Sequence, residues 1–235
     1  MFFSFISMRA IGPMFLGIAS LCLLQATGGT ASFAQNAPQV AALVHPEQGG
    51  PRRLEVTRDE TVLFREPSEK ADKLTELSSS AIVTNLGCTE TAGLDWCKVS
   101  FVDGGSTGFI EMRHLIPAAG PDGIVATGVD DSKIRVRRRD YDATSEIACA
   151  QNEGQSLGRC RASIARSGGG DAAVVVTFSN SFSRELYFTH GQFRRGNSTM
   201  SGVGTDTEWR LENGIYTVRV DDQRYEIPEV FVLGK

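Results

Sequence analysis

The chain has 235 residues, with 24 Lys and Arg against 28 Asp and Glu, a formal charge of −4. Its length allows one large or two small domains. The mildly acidic balance argues against general binding of nucleic acid or anionic membrane, although a local basic patch can behave differently.

The chain opens MFFSFISMRAIGPMFLGIASLCLLQATGGTASFAQ. Arg9 is the only charge before a mostly apolar run from Ala10 to Leu24, and small residues lead to Ser32-Phe33-Ala34. This order predicts a secretory signal over 1–34, cleaved after Ala34. At about fifteen residues the run falls short of the ~20 that span a bilayer, which argues against a retained anchor. Cys22 raises a lipidated alternative, but Leu21 stands where such a site wants a small residue. No second apolar run is long enough to cross a membrane, so the expected product is periplasmic or secreted. Cleavage removes one basic residue and no acidic one, moving the charge to −5.

Residues 35–53 carry Gln, Ala, Pro and Gly without periodicity and are read as a flexible segment. From Leu54 to Pro117 short alternating runs are split by turn residues. In TVLFR, Val62 and Phe64 share a face; in WCKVSFV, Trp96, Lys98 and Ser100 alternate with Cys97, Val99 and Phe101. Short strands at this spacing predict a small barrel. Cys88, Cys97, Cys149 and Cys160 remain after cleavage, spaced C-x8-C and C-x10-C. Zinc wants C-x-x-C knuckles or added histidines, and a redox couple wants C-x-x-C. An even number of cysteines in an exported chain is read as disulfides, and the local pairs Cys88–Cys97 and Cys149–Cys160 close the shortest loops. Each such closure stabilises by roughly 2–3 kcal/mol.

Leu63-Phe64-Arg65-Glu66-Pro67-Ser68, Lys73 to Leu77, Trp96-Cys97-Lys98-Val99, Thr107-Gly108-Phe109-Ile110 and Leu115 together resemble the bacterial SH3 domain. The family has an Arg- and Pro-bearing opening, a tryptophan before a Val-bearing strand, and a Thr-Gly-aromatic close. The likeness covers 54–117, a quarter to a third of the chain. The cysteines flanking the tryptophan strand resemble a variant among exported Gram-negative members. Glu66-Pro67 stands where many members carry Ser-Gly-Pro, so the ligand-side loop is expected to differ. Members that bind cell wall imply that Trp96 and Phe109 line a groove for a peptide stem; the alternative is that they fill the barrel core, the reading favoured for Phe64.

Residues 118–130, AAGPDGIVATGVD, are Gly- and Ala-rich and are read as a linker permitting many domain arrangements. From 131 to 235, AAVVVTF suits a buried strand, and Phe182, Arg184, Leu186 and Phe188 share one alternate set. Asn213-Gly214 and Asp221-Asp222 sit where hairpin turns belong. No stretch shows helical periodicity over three turns. The fold class expected is therefore all-β, an SH3-like small barrel followed by a second, mostly antiparallel β domain. The opening CRASIARSGGGDAAVVVTF and the RYEIP close resemble an uncharacterised domain that accompanies bacterial SH3 modules and brings no activity with it.

The second domain begins with KIRVRRR. Read as a strand, it projects Lys133, Arg135, Arg137 and Arg139 from one face and leaves Ile134 and Val136 to pack. Such a row fits phosphate or carboxylate; the alternative is an edge strand paired with Asp140, Asp142 and Glu146. SGGGD, 167–171, precedes a strand and lacks the helix and lysine of a phosphate loop, so it reads as a tight turn. There is no Gly-x-Ser-x-Gly elbow; His190 in FTHGQF is read as a solvated turn residue. Asp221-Asp222 and Asp206-x-Glu208 lack a calcium-loop pattern. No catalytic residue, metal or cofactor is assigned. The expected function is a non-enzymatic binding module for a cell-envelope component, with Trp96, Phe109, Arg135, Arg137 and Arg139 as ligand-binding candidates. The alternative is an interaction or regulatory protein, an inhibitor or assembly factor, bound to another exported protein.

Overall fold

A computed structural model describes residues 43–198 and 205–235; the predicted signal, its cleavage site, Cys22 and residues 35–42 lie outside the described residues. The chain is all-β, in two antiparallel sheets. β1 (Arg53–Val56), β2 (Thr61–Phe64), β3 (Lys73–Leu77), β4 (Ile82–Thr91), β5 (Leu94–Phe101), β6 (Thr107–Glu111) and β7 (Leu115–Pro117) form the first, ordered β3-β2-β6-β5-β4-β1-β7. Strand alternation sends Leu54, Val56, Leu63, Val83, Cys97, Val99 and Ile110 into one core. The expected disulfide joins Cys88 to Cys97, which face each other across β4 and β5.

The flexible entry expected over 35–53 needs correction from Leu43 onward. Leu43 is fully buried in this core, and Pro46–Gln48 form a 3₁₀ turn. The cause is a buried amide. Asn85 must satisfy its donors inside the protein, and its Nδ2 donates to the carbonyls of Val44 (2.9 Å) and Pro51 (2.8 Å).

The second sheet is a meander of eight strands. β8 (Ala143–Ala150), β9 (Gly158–Gly168), β10 (Asp171–Thr177), β11 (Ser183–Thr189) and β12 (Gln192–Gly196) pair in sequence, as do β13 (Thr207–Glu212), β14 (Ile215–Val220) and β15 (Gln223–Pro228). β15 returns to pair with β8, so the sheet curls until β12 approaches β13 and β14. Two side chains bridge that approach. Tyr216 of β14 donates its hydroxyl to the Gly191 carbonyl at 2.5 Å. Arg184 of β11, 2% exposed, donates to Gln223 Oε1 (2.8 Å), Asp221 Oδ2 (2.8 Å) and the Asn197 carbonyl (2.6 Å). Val174, Val176, Leu186, Phe188, Val218 and Tyr225 fill the interior, and Cys149–Cys160 cross-links β8 to β9 there. The turns at Asn213-Gly214 and Asp221-Asp222 are where the sequence places them.

KIRVRRR is not a strand. Ser132–Arg137 form a helix, α1, and Glu229–Leu233 a second, α2. The Asp130 carboxylate accepts the Ser132 amide at 3.0 Å, which satisfies one of the free donors of a first turn. Val136 then packs on Ala165, Ala173 and Tyr187 of the outer sheet face, whereas Ile134 is exposed. Both helices are too short to show periodicity in sequence.

Residues 118–128 are docked, not loose. The Arg52 amide donates to the Ala126 carbonyl and the Gly128 amide to the Gly50 carbonyl. At Gly169 and Gly170, both with positive φ, an added Cβ would lie 2.7 Å from the Ala126 Cβ and 2.4 Å from the Gly191 amide nitrogen, so only glycine lets these segments meet. SGGGD is thus a tight turn shaped for close packing. Beneath it, Arg52 and Asp171 form a buried ion pair at 2.5 Å, with side chains 6% and 4% exposed. Arg52 also donates to the Ser167 carbonyl and to the Gly128 carbonyl at 3.0 Å. Asp171 additionally accepts from Arg53 (3.3 Å) and from the His190 amide (2.9 Å).

Removing one member of a buried, hydrogen-bonded pair strands the other charge, so Asp171→Ala should lower stability by about 3–5 kcal/mol. The measurement is the urea midpoint of the oxidised protein; a loss under about 1 kcal/mol, the worth of an exposed pair, would remove the joint from any stabilising role.

Candidate functional site

Cys97 and Val99 point into the first core, so Trp96 and Lys98 lie on the outer face of β5. Phe109 pairs with both Phe64 and Lys98 on that face, and Glu111 pairs with Trp96. Trp96 is 1% exposed, its ring edge-on to Phe64 at 5.7 Å. It presents no free ring surface. Phe109 is partly exposed beside the exposed Lys98. Of the two aromatic candidates, therefore, only Phe109 has surface to offer.

Next to Trp96 the chain forms a groove of about 460 Å³ between the β4–β5 turn and the segment joining β6 to β7. Leu94, Met112, Leu115 and Ile116 give it apolar walls, and Asp95, Glu111 and Arg113 give it charge. Arg113 Nη2 donates to Glu111 Oε1 at 2.9 Å, holding that carboxylate in place although Glu111 is only 7% exposed. Sequence reasoning missed this groove. Leu94, the first residue of β5, and Ile116, the middle residue of β7, are its signal, being apolar residues over 40% exposed at positions that face solvent.

The arginines of KIRVRRR do not form a row. Helical spacing turns Arg135 back over its own C-terminal chain, where it donates to Asp140 Oδ2 (2.9 Å), Asp142 Oδ1 (2.6 Å) and the Arg166 carbonyl (2.9 Å). Those bonds to Asp142 and Asp140 raise its pKa. For Asp142, burial works upward, but bonds from Arg135 and the Arg166 amide prevail and hold it below the usual carboxylate value. Glu146, which the sequence offers as a further partner, pairs with Arg159 instead (3.0 Å). Arg137 lies 3.8 Å from Glu185, which also accepts from the Tyr187 hydroxyl. The Lys133 ammonium and the Arg195 guanidinium both sit over the Tyr187 ring, 5.0 Å from its centroid. Arg139 is different. It is exposed, adopts a positive φ of 60°, and has no ion-pair or side-chain hydrogen-bond partner among the described residues.

His190 is not a solvated turn residue. It is half-buried at the β11–β12 turn, its amide on Asp171, and its Nδ1 is buried with no partner in the protein. Burial, and then Arg53 and Arg194, outweigh Asp171 and Asp122 and hold its pKa below 6.5. Among the described residues no Ser, Thr or Cys side chain hydrogen-bonds to it. Among the described residues no group of three or more His, Cys, Asp or Glu side chains is placed to hold a metal, and no helix is long and apolar enough to cross a membrane.

A depressed histidine pKa links stability to pH. Below about pH 6.5 the unfolded chain binds a proton that folded His190 refuses, so acid destabilises the fold. His114, also held low by burial and by Arg113 and Arg58, acts in the same window. His190→Asn, a residue suited to the φ of 50° at this turn, should flatten the decline in thermal midpoint between pH 6.5 and 4.5. An unchanged slope would assign the whole effect elsewhere.

No protein-family model, curated protein or solved structure matches this chain.

Proposed function

We propose that this chain is an exported, non-enzymatic binding protein whose first sheet, as a bacterial SH3 module, recognises a cell-envelope ligand. Two disulfides join the four cysteines that follow the apolar leader, and such cross-links persist in oxidising compartments. The observation that carries the reading is the groove beside Trp96. Apolar walls with a few convergent charged groups are the usual form of a small-ligand site. Leu94, Met112 and Ile116 suit the aliphatic part of a short peptide. Arg113, bonded to Glu111 yet with its side chain 62% exposed, suits its carboxylates with the face it leaves to solvent, and Asp95 suits its amines. A peptidoglycan stem peptide has this mixed character. Phe109 and Lys98 extend the surface along the same sheet.

The test is sedimentation with purified peptidoglycan at moderate salt. Wild-type protein should pellet with the wall, and Leu94→Glu/Ile116→Glu should lose at least about tenfold in affinity, since a charge placed in an apolar contact is left unpaired. Both side chains are more than 40% exposed, so the thermal midpoint should hold. Pelleting unaltered by the double variant would sink this reading.

A second reading, an interaction or regulatory protein bound to another exported protein, is favoured by one feature. Trp209, Leu211 and Ile215 are exposed on or beside β13, the end strand of the second sheet, and exposed aromatic and aliphatic side chains grouped together suit protein partners. Trp209→Ala that abolishes cross-linking to an exported protein, with wall sedimentation untouched, would favour it.

A further inference from the structure

Most arginines of the described chain are committed. Arg52, Arg53, Arg65, Arg113, Arg135, Arg137, Arg159, Arg184, Arg194, Arg210 and Arg219 face carboxylates. Arg166 and Arg224 bond to backbone carbonyls and Arg195 covers a ring. Arg58, Arg138, Arg139 and Arg161 have no such partner among the described residues, and Arg139 and Arg161 line one groove of about 420 Å³ on the second sheet.

Sheet register builds that groove. On the outer face, Arg161, Thr177 and Ser183 stand in one row across β9, β10 and β11; Ser163, Val175 and Glu185 stand in the next, with Glu185 accepting from the Tyr187 hydroxyl and 3.8 Å from Arg137. The third row, Ala165, Ala173 and Tyr187, is roofed by α1. α1 ends before the first two rows, and Arg139, in its left-handed conformation, turns the chain so that Tyr141 joins the lining. Two carboxylates border the groove without lining it: Glu146, register partner of Arg161 on β8, pairs with Arg159, and Glu185, register partner of Val175 on β11, faces Arg137.

The hydroxyls are matched in pairs, Thr177 with Ser183 and Thr144 with Ser163, each at 2.9 Å. Within a pair one hydroxyl donates to the other, and the acceptor keeps a free proton. The groove therefore offers two guanidinium forks, spare hydroxyl protons and a phenol, more donors than the two oxygens of a carboxylate can use. A tetrahedral oxyanion with three terminal oxygens fits better. Tyr141 and Val175 add a small apolar surface of the kind a sugar ring packs on, while Val175 is the only aliphatic side chain in the lining, too little for insertion into a bilayer. We infer that the outer face of the second sheet carries a binding site for a phosphorylated saccharide, held by Arg139 and Arg161. This site is separate from the first-sheet groove and does not depend on it.

The test is calorimetric titration of the oxidised full chain with glucose 6-phosphate, inorganic phosphate and glucose. The sugar phosphate should bind saturably and more weakly as salt rises. Phosphate alone should bind several-fold less well, and glucose not at all. Arg139→Asn/Arg161→Gln should weaken the sugar phosphate by about tenfold or more, the worth of lost charge-assisted hydrogen bonds. Both side chains are exposed and asparagine suits a positive φ, so the variant's thermal midpoint should be kept. Arg161→Gln alone, which leaves the turn untouched, should show part of the same loss. Absence of saturable binding, or binding indifferent to these variants, would overturn the site. Equal affinity for inorganic phosphate would overturn the saccharide, and so would a preference for phosphatidylglycerol vesicles that the double variant abolishes.

Discussion

One buried carboxylate ties the molecule together. Asp171 opens β10 of the second sheet, yet its oxygens are taken by Arg52 and Arg53 at the start of the first sheet and by the amide of His190. A carboxylate this enclosed is tolerable only when each oxygen is occupied by a donor. The arginines come from the segment just before and within β1, and the amide comes from the β11–β12 turn. That single demand brings three distant stretches of chain to one point. The glycines at 168–170 serve the same junction by letting residues 120–126 lie directly on the turn.

The second sheet has a different problem. Among the described residues, a meander of eight strands in which β15 pairs with β8 leaves one place where neighbours are unpaired, between β12 and β13. Open edges invite pairing with other chains. Here the approach is spanned by the Tyr216 hydroxyl at one end and by the Arg184 guanidinium at the other. Arg184 shares the interior alternation of Leu186 and Phe188, so its charge is carried inside, where Asp221, Gln223 and Asn197 absorb its donors. Polar atoms perform a closure that ladder hydrogen bonds do not.

Charge is sorted by the same geometry. Clustering in sequence makes the 133–139 stretch look like one basic surface. Helical folding separates its members, committing Arg135 to Asp140 and Asp142, Arg137 to Glu185 and Lys133 to an aromatic ring. Arg138 and Arg139 escape because they lie beyond Arg137, the last residue of α1. The groove partner of Arg139, Arg161, sits 22 positions on in sequence and stands in no basic cluster. The surface proposed here for an anion therefore shares only Arg139 with the stretch that composition advertises.

Alternation of apolar residues, turn dipeptides and the two close cysteine pairs were sufficient to read an all-β chain with local disulfides, because these depend on neighbours a few residues apart. Trp96 and Cys97 on opposite faces of β5, and Arg184 in register with Leu186 and Phe188, were legible for the same reason. Tertiary structure alone decided the rest. Whether Trp96 was covered, whether residues 43–53 and 118–128 were docked, and whether KIRVRRR coiled or extended depended on Phe64, Asn85, the glycine turn and the patch under Val136. Each of those partners is brought close only by the fold, and a one-dimensional pattern carries no measure of that distance.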